Sequence, residues 1–308
     1  MVQNKFNNSV HGWLVIDKGR DITSAKVVGR AKRIMNATKV GHGGTLDPLA
    51  TGVLPLAFGE ATKTVSFMMN GKKKYNFTIC WGLATDTDDA QGSLINTSRV
   101  RPDKMGIESI LSQFIGNIQQ TPPAYSAVKV GGKRAYALAR KKIPIKLKPR
   151  SIFIEEFKLI KMIDGDHASF EVTSGKGVYI RGLARDLAGQ LGTVGHISQI
   201  RRTSVGPFVE KDAISLDQLE ELGHKGAAVD LLRPVEAALD DIPALVLTVD
   251  EARRLRCGQP ISAIKVAKRI SLNGINPNTV VCAKSEGEVV ALAKLQGGEI
   301  RPVRVLNI

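Results

Sequence analysis

Apolar and polar positions near the start of the chain change from strand spacing to helix spacing. GWLVID at 12–17 is a short apolar run typical of a buried strand. SAKVVGRAKRIM at 24–35 places apolar side chains every three or four residues, at Val27, Val28, Ala31, Ile34 and Met35. Ser24 is a candidate N-cap for this repeat. The pattern predicts a strand followed by an amphipathic helix.

Both spacings continue along the chain without a regular strand-helix-strand rhythm. Helices are predicted for GEATKTVSFMMN at 59–70, IESILSQFIGN at 107–117 and GLARDLAGQLG at 182–192. Strands are predicted for KKKYNFTICWG at 72–82, SIFIEEFKLIKMI at 151–163, ASFEVTSG at 168–175 and ISQIRRTSVGPF at 197–208. This mixture predicts an α+β fold with a mixed, largely antiparallel sheet flanked by helices.

The pattern changes near Pro243. Beyond it we predict a strand, one short helix ended by Gly258, and several short strands separated by glycine turns. We therefore expect two domains: a larger one at 1–245 and a small, β-rich one at 246–308.

Composition argues against several classes of protein. No apolar run approaches the roughly 20 residues of a membrane-spanning helix, and the start, MVQNKFNNSVHGWLV, lacks the regions of a signal peptide. Cys80, Cys257 and Cys282 are too few and too scattered for a disulfide framework or a zinc site, and we expect them to be buried small hydrophobic residues. The five histidines show no pair at helical ligand spacing. We expect a cytoplasmic protein without membrane contact or a metal site.

Net charge points to a polyanionic partner. Lys and Arg outnumber Asp and Glu by 44 to 29, which gives a charge of +15. The segment from Lys129 to Arg150 holds nine Lys or Arg and no acidic residue. A solvated basic loop would explain it, but in so basic a chain it favours an arm lying along a phosphate backbone. Nucleic acid is the first candidate partner, ahead of an anionic membrane.

The stretch GHGGTLDPLATGVLP at 41–55 has two interpretations. Asp47 followed by Pro48 fits an N-cap with proline at the first helical position. Alternatively, the glycines at 41, 43 and 44 leave the carboxylate open to close approach by another molecule. The stretch lacks the GK[ST] of a phosphate-binding loop, and DTDDAQG at 86–92 lacks the ligand pattern of a calcium loop.

Tyr179 and Arg181, in GKGVYIRGLARDL, are a second candidate pair. On an extended segment, residues two apart face the same side. The tyrosine could then stack on a base while the arginine pairs with a carboxylate. A core tyrosine beside a surface arginine is the simpler interpretation of the local pattern.

Six segments in order resemble motifs of the bacterial tRNA pseudouridine-55 synthase family. They are GWLVIDKGRDITS, GHGGTLDPLATGVLP, KKKYNF, TPPAYSAVKVGGKRAYALAR, GKGVYIRGLARDL and GHISQIRRTSVGPF, between residue 12 and about residue 208. The C-terminal segment is similar to the family's small RNA-binding domain of the PUA type. The family commonly has proline where this chain has Gly19, so the turn there is expected to differ.

The resemblance implies an enzyme that converts uridine 55 in the T loop of tRNA to pseudouridine by base flipping, without cofactor or metal. It assigns the role of nucleophile to Asp47, with the point of attack on base or ribose left open. Arg181 corresponds to the cation paired with that aspartate, and Tyr75 to the tyrosine that stacks on the uracil. Tyr179 and Ile200 correspond to pocket residues. His42 corresponds to the residue that fills the space left by the flipped nucleotide.

The resemblance also implies how RNA is held. Residues 121–150 are similar to a mobile insertion that clamps the T stem-loop, and guide-RNA-dependent relatives lack a comparable insertion. We therefore expect a monomer that needs neither a guide RNA nor a protein partner. The alternatives are a tRNA-binding or tRNA-folding factor without catalysis, and an enzyme acting on another RNA.

Overall fold

The computed structural model describes residues 10–270, 275–276 and 278–308. The start of the chain, on which the expectation of no signal peptide rests, falls largely outside them at residues 1–9. No helix in the described part is long and apolar enough to cross a membrane.

Strands are the main elements. They are β1 (Gly12–Lys18), β2 (Val40–His42), β3 (Thr51–Phe58), β4 (Lys73–Trp81), β5 (Leu83–Thr85), β6 (Leu94–Thr97), β7 (Gly116–Gln120), β8 (Lys129–Val130), β9 (Lys133–Arg134), β10 (Arg150–Met162), β11 (His167–Ser174), β12 (Gly195–Val205), β13 (Phe208–Val209), β14 (Ala244–Val246), β15 (Ile261–Ser262), β16 (Val280–Ser285), β17 (Glu288–Gln296) and β18 (Glu299–Val305).

Helices lie between these strands. The α-helices are α1 (Ser24–Ile34), α2 (Val65–Asn70), α3 (Lys104–Leu111), α4 (Ala135–Ala139), α5 (Ile180–Gln190), α6 (Leu216–His224), α7 (Val249–Arg256) and α8 (Ala263–Ala267). Turns of 3-10 helix cover Gly59–Thr64, Ser112–Phe114, Glu210–Asp212, Ala228–Leu231 and Val235–Ala238.

A mixed sheet of nine strands forms the body of the molecule. Its main path runs β1-β3-β12-β4-β11-β10-β7, with β2 on β3 and β13 on β12. Neighbours pair antiparallel except β3 and β12, which run parallel where Thr51 meets Arg201 and Gly52 meets Arg202. The predicted fold class, α+β with a mixed, largely antiparallel sheet, is confirmed.

Two clusters of buried side chains lie on the main sheet, and a different pair of helices contributes to each. Helices α3 and α5 pack on β4, β10 and β11, whereas α1 and α6 pack on β1 and β3. Tyr75 on β4 and Ile200 on β12 pack against both clusters. These two side chains therefore mark the boundary between the two halves of the sheet.

Helix α1 begins differently from the prediction. Thr23, not Ser24, is the N-cap, and its hydroxyl accepts from the Lys26 amide at 3.2 Å. Ser24 is buried instead, and its hydroxyl donates to the Leu46 carbonyl and accepts from the Leu46 amide, both at 2.9 Å. The serine thus ties the helix to the segment that precedes Asp47.

A second sheet of five strands lies at the C-terminal end, in the order β14-β16-β17-β18-β15. Cys282 and Leu292 of this sheet, and Leu306 just after it, share a buried cluster with Trp13 and Val53 of the main sheet. The boundary proposed at 245/246 stays a prediction.

The cysteines only partly follow the expectation. Cys80 and Cys282 are buried, but Cys257 is exposed, so its assignment as a buried residue was wrong. The reason is local. Cys257 is the C-cap of α7, and it does not lie on the buried face of that helix, which Ala252 and Leu255 form.

Candidate active site

Asp47 lies in a turn, not at the start of a helix. The Ala50 amide donates to the Asp47 carbonyl at 3.1 Å, and no helix follows Pro48 before β3 begins at Thr51. Of the two interpretations of this stretch, the N-cap was therefore wrong. The Asp47 side chain is 47% exposed, so its carboxylate is both accessible and anchored.

Gly43 faces the protein interior, whereas a Cβ at Gly41 would meet nothing nearer than Val65 Cγ2 at 3.9 Å. A Cβ at Gly43 would lie 2.6 Å from Met68 Cγ and 3.4 Å from the Trp13 ring. Gly44 has a φ of +135°, which side-chain-bearing residues rarely adopt. The expectation that Gly43 leaves room for another molecule was wrong, since buried side chains fill that space.

Arg181 donates from Nε to Asp47 Oδ2 at 2.9 Å. Its Nη1 donates to the Thr87 carbonyl at 2.7 Å, and its Nη2 donates to the Tyr125 carbonyl at 2.9 Å. Only 7% of the side chain is exposed. A buried guanidinium with all three nitrogens engaged has a fixed orientation, so it holds the Asp47 carboxylate in one place.

The backbone around Arg181 differs from the prediction. Tyr179 is the extended N-cap of α5, and Arg181 already lies in the first turn of that helix. The argument from strand alternation was therefore wrong, because the apolar helical repeat of α5 reaches back to the buried Ile180.

Asp89 is a second carboxylate beside Arg181, and the sequence analysis missed it. Its Oδ2 lies 3.6 Å from Arg181 Nε, and its side chain is 7% exposed. Thr87 Oγ1 and the Gln91 amide both donate to Oδ1, at 2.7 and 3.0 Å. The sequence analysis considered DTDDAQG only as a calcium loop. A run of acidic residues in so basic a chain was the signal that could have pointed to Asp89.

Lys18 stabilises the turn at Asp47 through hydrogen bonds to nearby backbone carbonyls. The side chain is fully buried, and Nζ donates to the carbonyls of Gly19, Ile22 and Pro48 at 2.9, 2.8 and 3.1 Å. Burial lowers the pKa of Lys18 to about 8, while the nearby Asp47 carboxylate opposes part of that shift. A buried ammonium thus fixes both the turn after β1 and the peptide next to Asp47.

His42 ends β2 and comes close to a buried arginine. Burial and, next, the charge of Arg202 lower the pKa of His42, so the ring is neutral near pH 7. Arg202 is 1% exposed and donates from Nε to the Val53 carbonyl at 2.8 Å and from Nη2 to the Gly44 carbonyl at 2.9 Å. It connects β12 to the glycine stretch between His42 and Asp47.

The remaining predicted site residues lie on neighbouring elements. Tyr75 pairs with Arg202, and Phe77 pairs with Ile200, so Tyr75 and Ile200 stand on adjacent strands. Tyr179 precedes Arg181, and its backbone N–H and C=O both bond to the side-chain amide of Gln120, at 2.9 and 3.0 Å. Among the predicted residues, Asp47 and Arg181 are joined by a side-chain hydrogen bond.

A cavity of about 360 Å³ opens next to this region. Leu49 and Ile200 line it together with polar residues of β4, β11 and β12. Asp47, Tyr75 and Arg181 are not among its lining residues. These three residues carry the chemistry expected of the site. The cavity therefore lies beside the candidate active site and is not the active site itself. The described part of the chain shows no group of His, Cys, Asp or Glu arranged to hold a metal ion.

The basic insertion forms a small hairpin, β8-β9, followed by the five-residue helix α4 and an irregular segment that leads into β10. Lys141, Lys142, Lys146 and Lys148 are exposed. The beginning of the insertion is anchored, since the Tyr125 carbonyl accepts from Arg181 and Tyr125 Oη donates to Asp86 Oδ2 at 3.2 Å. The insertion and the Asp47–Arg181 pair are thus physically connected.

Comparison with known proteins fits this geometry. Residues 32–180 match the model of the TruB family pseudouridylate synthase N-terminal domain, and residues 181–240 match that of the tRNA pseudouridylate synthase B C-terminal domain. A tRNA pseudouridine synthase B from Rhodospirillum rubrum is 53% identical over 308 residues, covering all of both chains. The chain belongs to the TruB family of pseudouridylate synthases.

Other members of the family are similar over their full length. The tRNA pseudouridine synthase B of Gluconacetobacter diazotrophicus is 48% identical, with 99% of this chain and all of the relative covered. The corresponding protein of Caulobacter sp. strain K31 is 45% identical and covers both chains completely. The family resemblance stated from the six motifs is therefore confirmed.

Solved structures support the fold. A chain in an H/ACA ribonucleoprotein bound to a substrate RNA superposes with a TM-score of 0.74, at 22% identity, over 97% of this chain and 86% of that one. A chain of a Cbf5-Nop10-Gar1 complex gives a TM-score of 0.75, at 24% identity, over 96% and 85%. The fold shared with these chains thus extends over nearly the whole chain, including the C-terminal sheet.

Proposed function

We propose that the protein isomerises uridine 55 in the T loop of tRNA to pseudouridine, with Asp47 as the nucleophile. The observation that carries the proposal is the half-exposed Asp47 carboxylate, oriented by the buried Arg181 at 2.9 Å. Membership of a pseudouridylate synthase family and relatives called tRNA pseudouridine synthase B support the reaction and the substrate.

The reaction balances without a cofactor. The bond between ribose C1′ and uracil N1 breaks, the base turns, and a bond forms between C1′ and C5. C5 loses its proton and N1 gains one, so no atom or electron is added overall. The protein needs to supply a nucleophile, a pocket for the turned base and a dry environment. Asp47 attacks either the base or the ribose.

Electrostatics explain why the carboxylate needs its neighbours. A flipped base that covers Asp47 excludes water, and desolvation disfavours the charged form of a carboxylate. Arg181 opposes this effect directly. Asp89, 3.6 Å from the same Nε, shares the guanidinium and keeps it from pairing with Asp47 alone. The arginine thus orients the Asp47 carboxylate while its charge is shared between two carboxylates.

The other site residues receive the roles of their counterparts in the family. Tyr75 stacks on the target uracil, and Tyr179 and Ile200 line its pocket. His42, neutral near pH 7, fills the space of the flipped nucleotide, where an uncharged ring avoids the cost of burying an imidazolium ion.

The grip on RNA comes from two basic regions. The insertion at 121–150 clamps the T stem-loop through its exposed lysines, and a PUA-like domain at 246–308 binds RNA at a second place. With these contacts the protein acts as a cytoplasmic monomer, without a guide RNA or a protein partner. The full-length similarity to the tRNA pseudouridine synthase B relatives favours this over the guided arrangement of the H/ACA complexes.

The test is turnover of an unmodified tRNA transcript by the purified protein alone, followed by nucleoside mapping. We expect one pseudouridine, at position 55, and none in a transcript with cytidine there. Binding without conversion would favour a tRNA-folding factor. Conversion only of another RNA would favour the alternative target.

A further inference from the structure

Helix α5 carries two arginines one turn apart, Arg181 and Arg185, that reach the same two segments. Arg181 donates to the carbonyls of Thr87 and Tyr125. Arg185 donates from Nη1 to Asp88 Oδ2 at 3.0 Å and from Nη2 to the Thr121 carbonyl at 2.7 Å. Residues four apart lie on one face of a helix, so the two arginines form parallel connections.

The first segment is the acid loop, residues 85–92. It supplies the Thr87 carbonyl to Arg181 and the Asp88 carboxylate to Arg185, from adjacent residues. Asp88 has a φ of +60°, an uncommon backbone conformation that needs support. The Asp88 side chain is 15% exposed and that of Arg185 34%. Burial raises the pKa of Asp88, while Arg185 and Arg181 counteract the shift.

The second segment is the root of the insertion, residues 120–125. Gln120 is 2% exposed, and its amide bonds to both backbone groups of Tyr179. Arg185 then holds the Thr121 carbonyl, and Arg181 holds the Tyr125 carbonyl. The root is therefore attached to the first two turns of α5 at three successive points.

We propose that Arg185 is a positioning residue of the active site, which holds the acid loop and the root so that Arg181 stays aligned on Asp47. Arg185 contacts the two segments that orient Arg181 and does not touch Asp47. The adjacent Asp186 also accepts from Arg185 Nε, at 3.0 Å, and limits the rotation of the guanidinium. The inference rests on the proposed function, since alignment matters only if Asp47 is the nucleophile.

Loss of Arg185 would free two segments at once. The carbonyl acceptors of Arg181 would then shift, and an error of about 1 Å in a catalytic group can cost about a hundredfold in rate. We expect a smaller loss, of about tenfold, because Gln120 and the Arg181 bonds themselves remain. The exposed lysines of the insertion would be untouched, so affinity for tRNA should hardly change.

The experiment compares Arg185→Ala and Asp88→Asn with the unaltered protein. Asparagine tolerates the backbone conformation of Asp88, so this variant removes mainly the charge. The single-turnover rate at saturating tRNA should fall about tenfold in Arg185→Ala and by a smaller factor in Asp88→Asn, which keeps the bond from Arg185 to the Thr121 carbonyl. The Kd for tRNA should change less than twofold in either variant. The double variant should be no slower than Arg185→Ala alone, because that variant already removes the connection to Asp88.

Arg233→Ala is the matched control. Arg233 Nη2 pairs with Asp212 at 2.7 Å, and the two side chains are 40% and 11% exposed, similar to the Arg185–Asp88 pair. This control should keep the rate. A loss as large as that of Arg185→Ala, or loss of rate only in step with a lowered Tm, would show that Arg185 is merely structural and overturn the proposal.

A second cycle tests whether Arg185 acts through Arg181. In an Arg181→Lys background, Arg185→Ala should cause less than a twofold further loss, since the alignment is already gone. A full tenfold further loss would overturn the proposal. Turnover by the unaltered protein is measured in parallel, because its absence would refute the proposed function itself. An Arg185→Ala variant as fast as the unaltered protein would refute only this inference.

Discussion

At the scale of single residues, the candidate site depends on how the nitrogens of Arg181 are distributed. The pair with Asp47 expected from the sequence uses only Nε of the arginine, and both Nη groups donate to backbone carbonyls. The role of Arg181 therefore depends on the three directions in which a planar guanidinium donates hydrogen bonds, more than on its positive charge.

Arg181→Lys should therefore lose much of the rate although the charge is kept. A lysine has one nitrogen and cannot reach Asp47, the Thr87 carbonyl and the Tyr125 carbonyl together. Leaving two partly buried carbonyls unpaired costs up to about 1 to 3 kcal/mol each. We expect a fall of at least tenfold in single-turnover rate. Turnover close to that of the unaltered protein would contradict the role given to this side chain.

Lys18 predicts an alkaline loss of activity. Its pKa is lowered to about 8, and above that pH a neutral amine has two N–H groups for three carbonyl acceptors. The peptide next to Asp47 is then held less firmly, so the rate of the chemical step should fall above about pH 8.

The stability changes in the opposite direction. Between about pH 8 and 10.5 the unfolded state binds more protons at Lys18 than the folded state, so the contribution of Lys18 to the free energy of unfolding rises with pH. Lys18→Met should be slow at all pH values and lack the alkaline loss. Lys73→Met, which removes another lysine with a pKa lowered to about 8, should keep it. The reverse pattern would exclude Lys18 as the cause.

Only part of the site could be predicted from the sequence. Asp47 and Arg181 came from the family resemblance, because they lie 134 positions apart and no local pattern connects them. Lys18, Arg202 and Gln120 were missed for a physical reason: such residues are usually solvated, and nothing local signals their burial. Asp89 lay in a segment that had been noticed and assigned no role.

At the scale of elements, apolar spacing predicted the strands and helices well. It identified β1, β4, β10, β11 and β12 and the helices α1 and α5 at nearly their observed bounds. The helix predicted at 107–117 was only partly right, because α3 spans Lys104–Leu111 and is followed by a 3-10 turn and by β7, which begins at Gly116. Apolar spacing failed at the ends of elements, because side-chain hydrogen bonds determine where a helix begins, as at Thr23, or whether one begins at all, as at Asp47. An Asp-Pro step fits a turn as well as a helix start, and the contact between Lys18 and the Pro48 carbonyl decides between them.

Gly43→Ala tests the packing beneath the Asp47 turn. The added methyl group would lie 2.6 Å from Met68 Cγ, too close for ordinary contact. Overpacking of this kind costs about 1 to 3 kcal/mol in the free energy of unfolding. Urea denaturation should show this loss, and Met68→Ala should suppress part of it in the double variant. Unchanged stability in Gly43→Ala would contradict the close packing.

At the scale of the whole molecule, the net charge of +15 predicted a polyanionic partner, and the insertion is where that charge is most exposed. The composition could not show that the C-terminal sheet shares a buried cluster with β1 and β3. That cluster joins residues far apart in the sequence.

Replacing Lys141, Lys146 and Lys148 by glutamine should weaken tRNA binding and reduce its salt dependence. Each lost phosphate contact lowers the slope of log K against log salt by about 0.7 to 0.9. Lys32, Lys161 and Lys211, also exposed, make a control triple with the same change in net charge. An equal effect of both triples on the slope would show that net charge, and not the insertion, determines binding.

The central claim is that Asp47, oriented by Arg181, is the nucleophile of a tRNA pseudouridine synthase. Its most direct test is tritium release from tRNA labelled at C5 of uridine, by the unaltered protein and by Asp47→Asn, which keeps the size of the side chain. The account predicts release by the first, none by the second, and the same tRNA affinity for both. Equal release by Asp47→Asn would contradict it.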